Sequence, residues 1–375
     1  MEKLEQQVKD TFHYLHNHAE ISWEETETTK YIETILQENG CSVTTFDDCT
    51  GVIGEYGNFE ADLPVVAVRA DMDALWQEVN GKFQPNHSCG HDAHMSMVLG
   101  LLRKLKEHPE LKEKIALKLI FQPAEEVGAG ALKMIEKNVI DNVDYLFGAH
   151  LRPNQETVMG RATPVIVHGA TQMYRVEIKG QDAHGARPHL NTNAIEVAAQ
   201  IVDALSKIHL DPRVPHSVKM TNIQAGGKSS NIIPGSATFS IDMRAQNNEM
   251  MTELVTKVKD IFEAMKNLYE VELAIIDTEN IPAAKTNPEA TLLMEKAIAS
   301  TLGKENVDAP LVTPGGDDFH FYTIKKPELK ATMLGLGCDL TPGLHHPDMT
   351  FNDAALMNGV NILFEAVKGV YGIED

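Results

Sequence analysis

Three short apolar runs in this chain each stop at side chains able to hold a metal ion, and no other feature restricts its folding so strongly. Pro64-Val65-Val66-Ala67-Val68-Arg69-Ala70 ends in Asp71-Met72-Asp73, Ala116-Leu117-Lys118-Leu119-Ile120-Phe121-Gln122 runs into Pro123-Ala124-Glu125-Glu126, and Tyr145-Leu146-Phe147-Gly148-Ala149 meets His150. Nearly continuous apolar runs of this length mark strands buried on both faces, as in a parallel sheet covered by helices. Open α/β sheets place their chemistry at the carboxyl ends of such strands. A single acidic pair is usually a solvated turn and a lone histidine a hydrogen-bonded one. Three such strand ends in one chain favour a shared site.

Between the first two runs lies Asn86-His87-Ser88-Cys89-Gly90-His91-Asp92-Ala93-His94. Gly90 lets the backbone turn tightly enough for the Cys89 thiol and the His91 imidazole to enter one cavity. Met95, Val98, Leu99, Leu102 and Leu105 follow at helical spacing, so the cluster occupies a loop entering a buried helix. Cys89 and His91 read as ligands, whereas His87 and His94 read as hydrogen-bonded core or capping residues. A late turn, Thr341-Pro342-Gly343-Leu344-His345-His346-Pro347, supplies the last histidines.

Cys89, His91, Glu126, His150 and His345 make a mixed sulfur, nitrogen and oxygen set. It is larger than the three protein ligands of a usual catalytic zinc, so two metals are the economical reading. Two ions about 3.5 to 4 Å apart can share a hydroxide and polarise a carbonyl oxygen. These donors suit Zn²⁺, and imidazole and carboxylate also accept Mn²⁺, Co²⁺ or Ni²⁺. Glu125 is the candidate general base, because neighbouring carboxylates in an extended segment point to opposite sides. Asp71 or Asp73 would orient a ligand imidazole or the metal pair, and spacing does not separate the two. A mechanism with Cys89 as nucleophile leaves Glu125, Glu126, His150 and His345 without a task.

At 375 residues the chain exceeds one ordinary core. From Gly169 the pattern changes to strands at Met173–Lys179, Ser217–Gln224, Ala237–Arg244 and Val271–Asp277, with helices at Asn193–Ile208 and Glu249–Leu268. That order, β-α-β-β-α-β, is the ferredoxin-like arrangement and is complete in itself. The expected fold is α/β: a catalytic domain of residues 1–168 and 283–375, with a mixed, mostly parallel sheet flanked by helices, and an inserted ferredoxin-like α+β domain at 169–282. Ser22-Trp23-Glu24-Glu25 reads as a capping box opening a second helix.

The formal charge of -21 repels phosphate backbones and excludes nucleic acid as a partner. Cys41, Cys49, Cys89 and Cys338 lack the spacing of a disulfide framework, which predicts a cytoplasmic setting. The N-terminus is unlike a secretory signal, and no apolar run reaches membrane-spanning length.

Arg69-Ala70-Asp71-Met72-Asp73-Ala74-Leu75, Cys89-Gly90-His91-Asp92, Phe121-Gln122-Pro123-Ala124-Glu125-Glu126, Gly148-Ala149-His150 and Leu344-His345-His346-Pro347 stand in one order along the chain. In that order they resemble the two-metal aminoacylase and carboxypeptidase family of metallopeptidases. The resemblance is to its amidohydrolase branch, with hippurate hydrolase, N-acetyldiaminopimelate deacetylase and indoleacetyl-amino-acid hydrolase. It implies that Cys89, His91, Glu126, His150 and His345 are metal ligands, Glu125 the catalytic base and Asp71 the active-site aspartate.

The inserted domain resembles the family's lid and dimerisation domain. There the resemblance implies that His184, in Gly180-Gln181-Asp182-Ala183-His184-Gly185-Ala186-Arg187-Pro188-His189, stabilises the oxyanion, often from the partner subunit; the alternative is a histidine in a surface turn without such a role. It implies that Asn231 and Arg244 contact the substrate carboxylate, a task suited to the guanidinium fork; an ordinary surface salt bridge is the alternative for a strand-end arginine. The implied activity is hydrolysis of an N-acyl amino acid or related small amide by a homodimer holding two divalent ions per chain, Zn or Mn. A dipeptidase or carboxypeptidase would use the same water attack. A non-catalytic metal- or peptide-binding protein could use the same scaffold but would have no need of Glu125. Trp76 stands where the family has proline, and Glu78 to His87 is shorter than usual; both are expected to line the substrate entrance.

Overall fold

The computed structural model describes residues 2–373, which form two compact units. One comprises the chain up to Val167, Lys285–Val312 and the chain from Asp318; the other comprises His168–Ala284 with Thr313–Asp317. The short Thr313–Asp317 segment joins the second unit because Gly169 N donates to the carbonyls of Thr313 and Gly315, both at 3.0 Å.

The first unit is built on a seven-stranded sheet, in the spatial order Ser42–Thr45, Val52–Gly57, Ala116–Gln122, Val65–Asp71, Tyr145–Pro153, Lys330–Leu340, Ala162–Thr163. Its four consecutive strands from Ala116–Gln122 to Lys330–Leu340 are mutually parallel, and the outer pairings are antiparallel. Parallel register sets Asp71 beside Gln122 and His150 beside Gly335, so the carboxyl ends open on the same side. His150 lies inside its strand rather than at the end, because pairing with Lys330–Leu340 continues to Pro153.

Side chains alternate across these strands. Val66, Val68 and Ala70 join a core with helices Glu2–Asn17, His91–Lys106, Pro288–Leu302 and Ala355–Val370, while Ala67 joins a core with Ala131, Met134, Phe319 and Phe321. Helix His91–Lys106 is buried on every side except at Arg103, Lys104 and Lys106, which explains the continuous apolar run from Met97 to Leu102.

The second unit has the order β-α-β-β-α-β, its all-antiparallel sheet running His216–Ala225, Ala237–Ala245, Ala170–Lys179, Glu272–Ile281. Along Ala237–Ala245 every second residue is buried, and helices Ala194–Leu205 and Asn248–Tyr269 share that core. Asn193 and Asn247 cap these helices by accepting from Ile195 N and Met250 N. Among the described residues no helix is long and apolar enough to cross a membrane.

A second expectation, besides the strand end at His150, is corrected. Ser22 does not cap the helix Thr26–Glu38; its hydroxyl donates to Asp73 Oδ2 at 2.6 Å. The helix start is served by Glu20, whose carboxylate accepts from Thr28 N at 2.8 Å and Glu27 N at 3.2 Å. A bridge between Ile21 and Ala74, followed by left-handed Trp23, draws this segment inward and turns Ser22 away from the helix.

Candidate metal centre

Helix His91–Lys106 begins directly after Gly90, which is left-handed at φ +86° and would bring a Cβ within 3.1 Å of Leu151. This turn buries the His91 ring completely. Its Nδ1 lies 2.8 Å from the Asp73 carbonyl and therefore carries the proton. The Nε2 lone pair faces Asp71 Oδ2 at 3.7 Å and Glu125 Oε2 and Glu126 Oε1 at 3.8 Å, without a hydrogen-bond partner. Glu126 Oε1 is also shut off from solvent without a partner. Buried polar atoms normally find partners, and a lone pair surrounded by carboxylate oxygens is completed by a cation. A proton competes for that place: against the effect of burial, Asp71 raises the imidazole well above its usual range.

Cys89 Sγ lies 3.6 Å from His150 Nε2 and 3.3 Å from His345 Nε2. His150 engages the Leu151 carbonyl through Nδ1 at 2.7 Å, leaving Nε2 for the thiol side. His345 Nε2 is also 3.4 Å from Glu126 Oε2. Of the donor groups that form, two include Cys89, one with His91 and His150 and one with Glu126 and His345; within each, the candidate ligand atoms lie within 4.8 Å of one another. They share the thiol, which burial lifts well above its usual range, so its ionisation calls for a neighbouring cation. His345 is left-handed and exposed, and its loop is tied down at the backbone: its N donates to Ser88 O at 2.7 Å and its carbonyl accepts from Gln77 at 2.8 Å.

The profile of peptidase family M20/M25/M40 matches residues 67–369. The chain belongs to this family. It is 31% identical to N-acetyl-L-cysteine deacetylase of Bacillus subtilis (strain 168), over 97% of this chain and 88% of that protein. It is also 31% identical to IAA-amino acid hydrolase ILR1-like 4 of Arabidopsis thaliana, over 82% of this chain and 72% of that protein. The crystal structure of Bacillus subtilis YXEP protein, described as a dinuclear metal binding peptidase from the M20 family, superimposes with a TM-score of 0.80 and 26% identity, covering 98% of each chain.

In this M20/M25/M40 member the two aspartates that spacing could not separate have different surroundings. Asp71 Oδ2 receives Arg69 Nη1 at 2.5 Å, and Oδ1 pairs with His94 Nδ1 at 2.6 Å. His94 Nε2 accepts from Leu151 N at 3.0 Å, so Nδ1 holds the proton, and His94 is a hydrogen-bonded core residue rather than a ligand. Against burial, His91 and Arg69 hold Asp71 well below the usual carboxylate range. Asp73 instead holds neighbouring amides: Oδ1 accepts from Glu125 N at 3.1 Å and lies 3.4 Å from His91 Nδ1, and Oδ2 accepts from Glu126 N at 3.0 Å and from the Ser22 hydroxyl.

Arg69 also donates to Gln122 at 3.0 Å and to Asp318 at 2.7 Å. A charge inside an apolar strand was a visible signal for this buried network. Its partner Asp318, distant in sequence, offered none.

The remaining candidates lie in the second unit. His184 sits in the short strand Ala183–His184, paired with Ile232–Ile233, and is exposed. Ala186 N donates to its Nδ1 at 3.0 Å, which places the ring proton on Nε2. The Asn231 carbonyl accepts from Gly185 N at 2.7 Å. Arg244 is half-buried, with Nε and Nη2 held by Asp242 at 3.0 and 2.9 Å.

Proposed function

We propose that this protein is a metal-dependent amidohydrolase that cleaves the amide bond of an N-acyl amino acid into a carboxylate and an amine. The observation that carries this reading is the pair of buried, unpartnered atoms His91 Nε2 and Glu126 Oε1 among further metal-competent donors. The named activities of the relatives, N-acetyl-L-cysteine deacetylase and IAA-amino acid hydrolase, support the same substrate class. Cys89, His91, Glu126, His150 and His345 would hold two divalent ions, Zn²⁺ or Mn²⁺, with Co²⁺ and Ni²⁺ also compatible with these donors. Bound there, the ions supply an acidified water and a polarised scissile carbonyl.

The chain's own groups then move the proton and hold the substrate. Glu125, buried beside the donors, takes the proton from the attacking water and hands it to the leaving amine. Asp71, kept anionic, steadies the His91 side of the site, and Asp73 orients the backbone of Glu125 and Glu126. His184 donates Nε2–H to the developing oxyanion. Asn231 and the fork edge of Arg244 that Asp242 leaves open hold the substrate carboxylate.

Residues 169–282 serve as lid and dimerisation domain of a homodimer, whose subunits supply His184 in cis or in trans. A reducing, cytoplasmic setting suits Cys89, because only a reduced thiol can ligate a metal.

Metal analysis combined with chelator-reversible hydrolysis of N-acetyl, N-benzoyl and dipeptide substrates tests the reading. Two ions per chain, with metal-restored cleavage of N-acyl amino acids, is the expected result. Faster cleavage of dipeptides would make the protein a dipeptidase or carboxypeptidase, and bound metal without hydrolysis would make it a binding protein.

A further inference from the structure

Glu25 lies far in sequence from every donor of the metal centre, yet it is fully buried and reaches the turn that carries Glu125 and Glu126. Its Oε1 accepts from Ala124 N at 2.9 Å, and its Oε2 accepts from the Thr50 hydroxyl at 2.6 Å. With the two Asp73 contacts, three successive amides, those of Ala124, Glu125 and Glu126, are each received by a buried carboxylate.

Ala124 needs such restraint. It is left-handed at φ +53°, a conformation that a non-glycine residue keeps only when its surroundings enforce it. Close packing adds to the enforcement. A Cβ on Gly51 would meet Pro123 at 2.8 Å, and one on Gly130 would meet the Pro123 carbonyl at 1.6 Å. The Ala124 carbonyl is held in turn by Gly130 N at 3.1 Å.

We infer that Glu25, oriented by Thr50, is a positioning residue for the hydrolytic reaction, holding the Pro123–Glu126 turn in the one conformation that presents both Glu125 and Glu126 to the metal centre. This rests on the proposed hydrolase reading, and Glu25 itself touches neither metal donors nor reacting atoms. The required feature is an acceptor at Oε1, not a charge. Glutamine keeps that acceptor and can donate its amide to Thr50, whereas alanine removes both contacts.

The test compares Glu25→Ala, Glu25→Gln and Thr50→Val with the wild type by steady-state kinetics and by amide hydrogen exchange of the peptide spanning 123–130 in metal-free protein. Glu25→Ala is expected to lower kcat by about 10- to 100-fold with KM nearly unchanged, the scale set by small misplacements of catalytic groups. It should also speed exchange at residues 124–126, with Thr50→Val following more weakly and Glu25→Gln restoring both readouts. Wild-type exchange and kcat in Glu25→Ala would overturn the inference, as would a Glu25→Gln variant as impaired as Glu25→Ala. If Glu25→Ala does not fold, the same readouts on Glu25→Gln and Thr50→Val decide. A wild type that turns over no acyl amino acid would defeat the hydrolase reading, while exchange would still decide whether Glu25 holds the turn.

Discussion

The donors of the first unit and the candidate substrate contacts of the second are held to different degrees. In the first unit His91 and His150 each have Nδ1 committed to a named oxygen, the amides of Glu125 and Glu126 are held by Asp73, and the exposed His345 is held through its backbone N and carbonyl. In the second unit His184 and Asn231 are exposed, and Arg244 is engaged by one carboxylate on its own strand. Metal chemistry demands fixed ligand geometry, whereas recognition of a small substrate tolerates side chains that settle on binding. The two regions should therefore respond to substitution in different observables.

The sharpest break comes from Glu125→Gln. Its turnover should fall about 10²- to 10⁴-fold, the range for loss of a general base, with metal content unchanged. Near-normal turnover would remove Glu125 from that role. In the second unit His184→Ala should lower kcat about 10²- to 10³-fold if its Nε2–H stabilises an oxyanion, again without loss of metal. Mixing this variant with Glu125→Gln should recover activity where subunits share sites, and no recovery would confine His184 to its own chain.

His94→Gln probes the opposite behaviour, since His94 links Asp71 to the amide beside His150. Metal affinity should drop about 10- to 100-fold, measured by competition with a chelator. An unchanged affinity would mean that the first unit is less dependent on its hydrogen bonds than its geometry indicates.

The smallest effect concerns stability. Burial pushes the Glu25 carboxyl up to about 7 from an ordinary value of 4.5. Its folded-state value lies above the unfolded one, so the folded protein binds the proton more tightly. The resulting stabilisation is present below pH 4.5 and is lost as pH rises toward 7. Glu25→Gln escapes this loss. In chelated protein its stability advantage over wild type should grow across that window, to on the order of 2 kcal/mol. A constant difference between pH 5 and pH 8 in denaturant titrations would contradict it.

Much of the architecture was legible because period and polarity report burial directly. The run Val65–Ala70 reads as a two-sided strand because residues on both of its faces pack into cores, and Ala237–Arg244 alternates because every second residue is buried in one. Ser22 misled for an equally physical reason. A serine followed three residues later by glutamate satisfies the local rule for a cap, but Asp73, 51 positions away, offers the hydroxyl a buried acceptor. The expected strand end at His150 differed because length depends on the neighbour, and Lys330–Leu340 extends the pairing.

Sequence by itself determined which side chains could take part: carboxylates just after two buried apolar strands and an imidazole on a third, a thiol and imidazole around Gly90, and the alternating segment after Gly169. Those are properties of composition and period, which each short stretch carries alone. Only the tertiary structure decided that Asp71 lies on the Nε2 side of His91 while Asp73, on its Nδ1 side, grips the Glu125–Glu126 backbone, that His94 spends both nitrogens on hydrogen bonds, and that Glu25 reaches Ala124. Hydrogen bonds are satisfied by whatever the fold brings within about 3 Å, and for these groups it brings residues from remote parts of the chain.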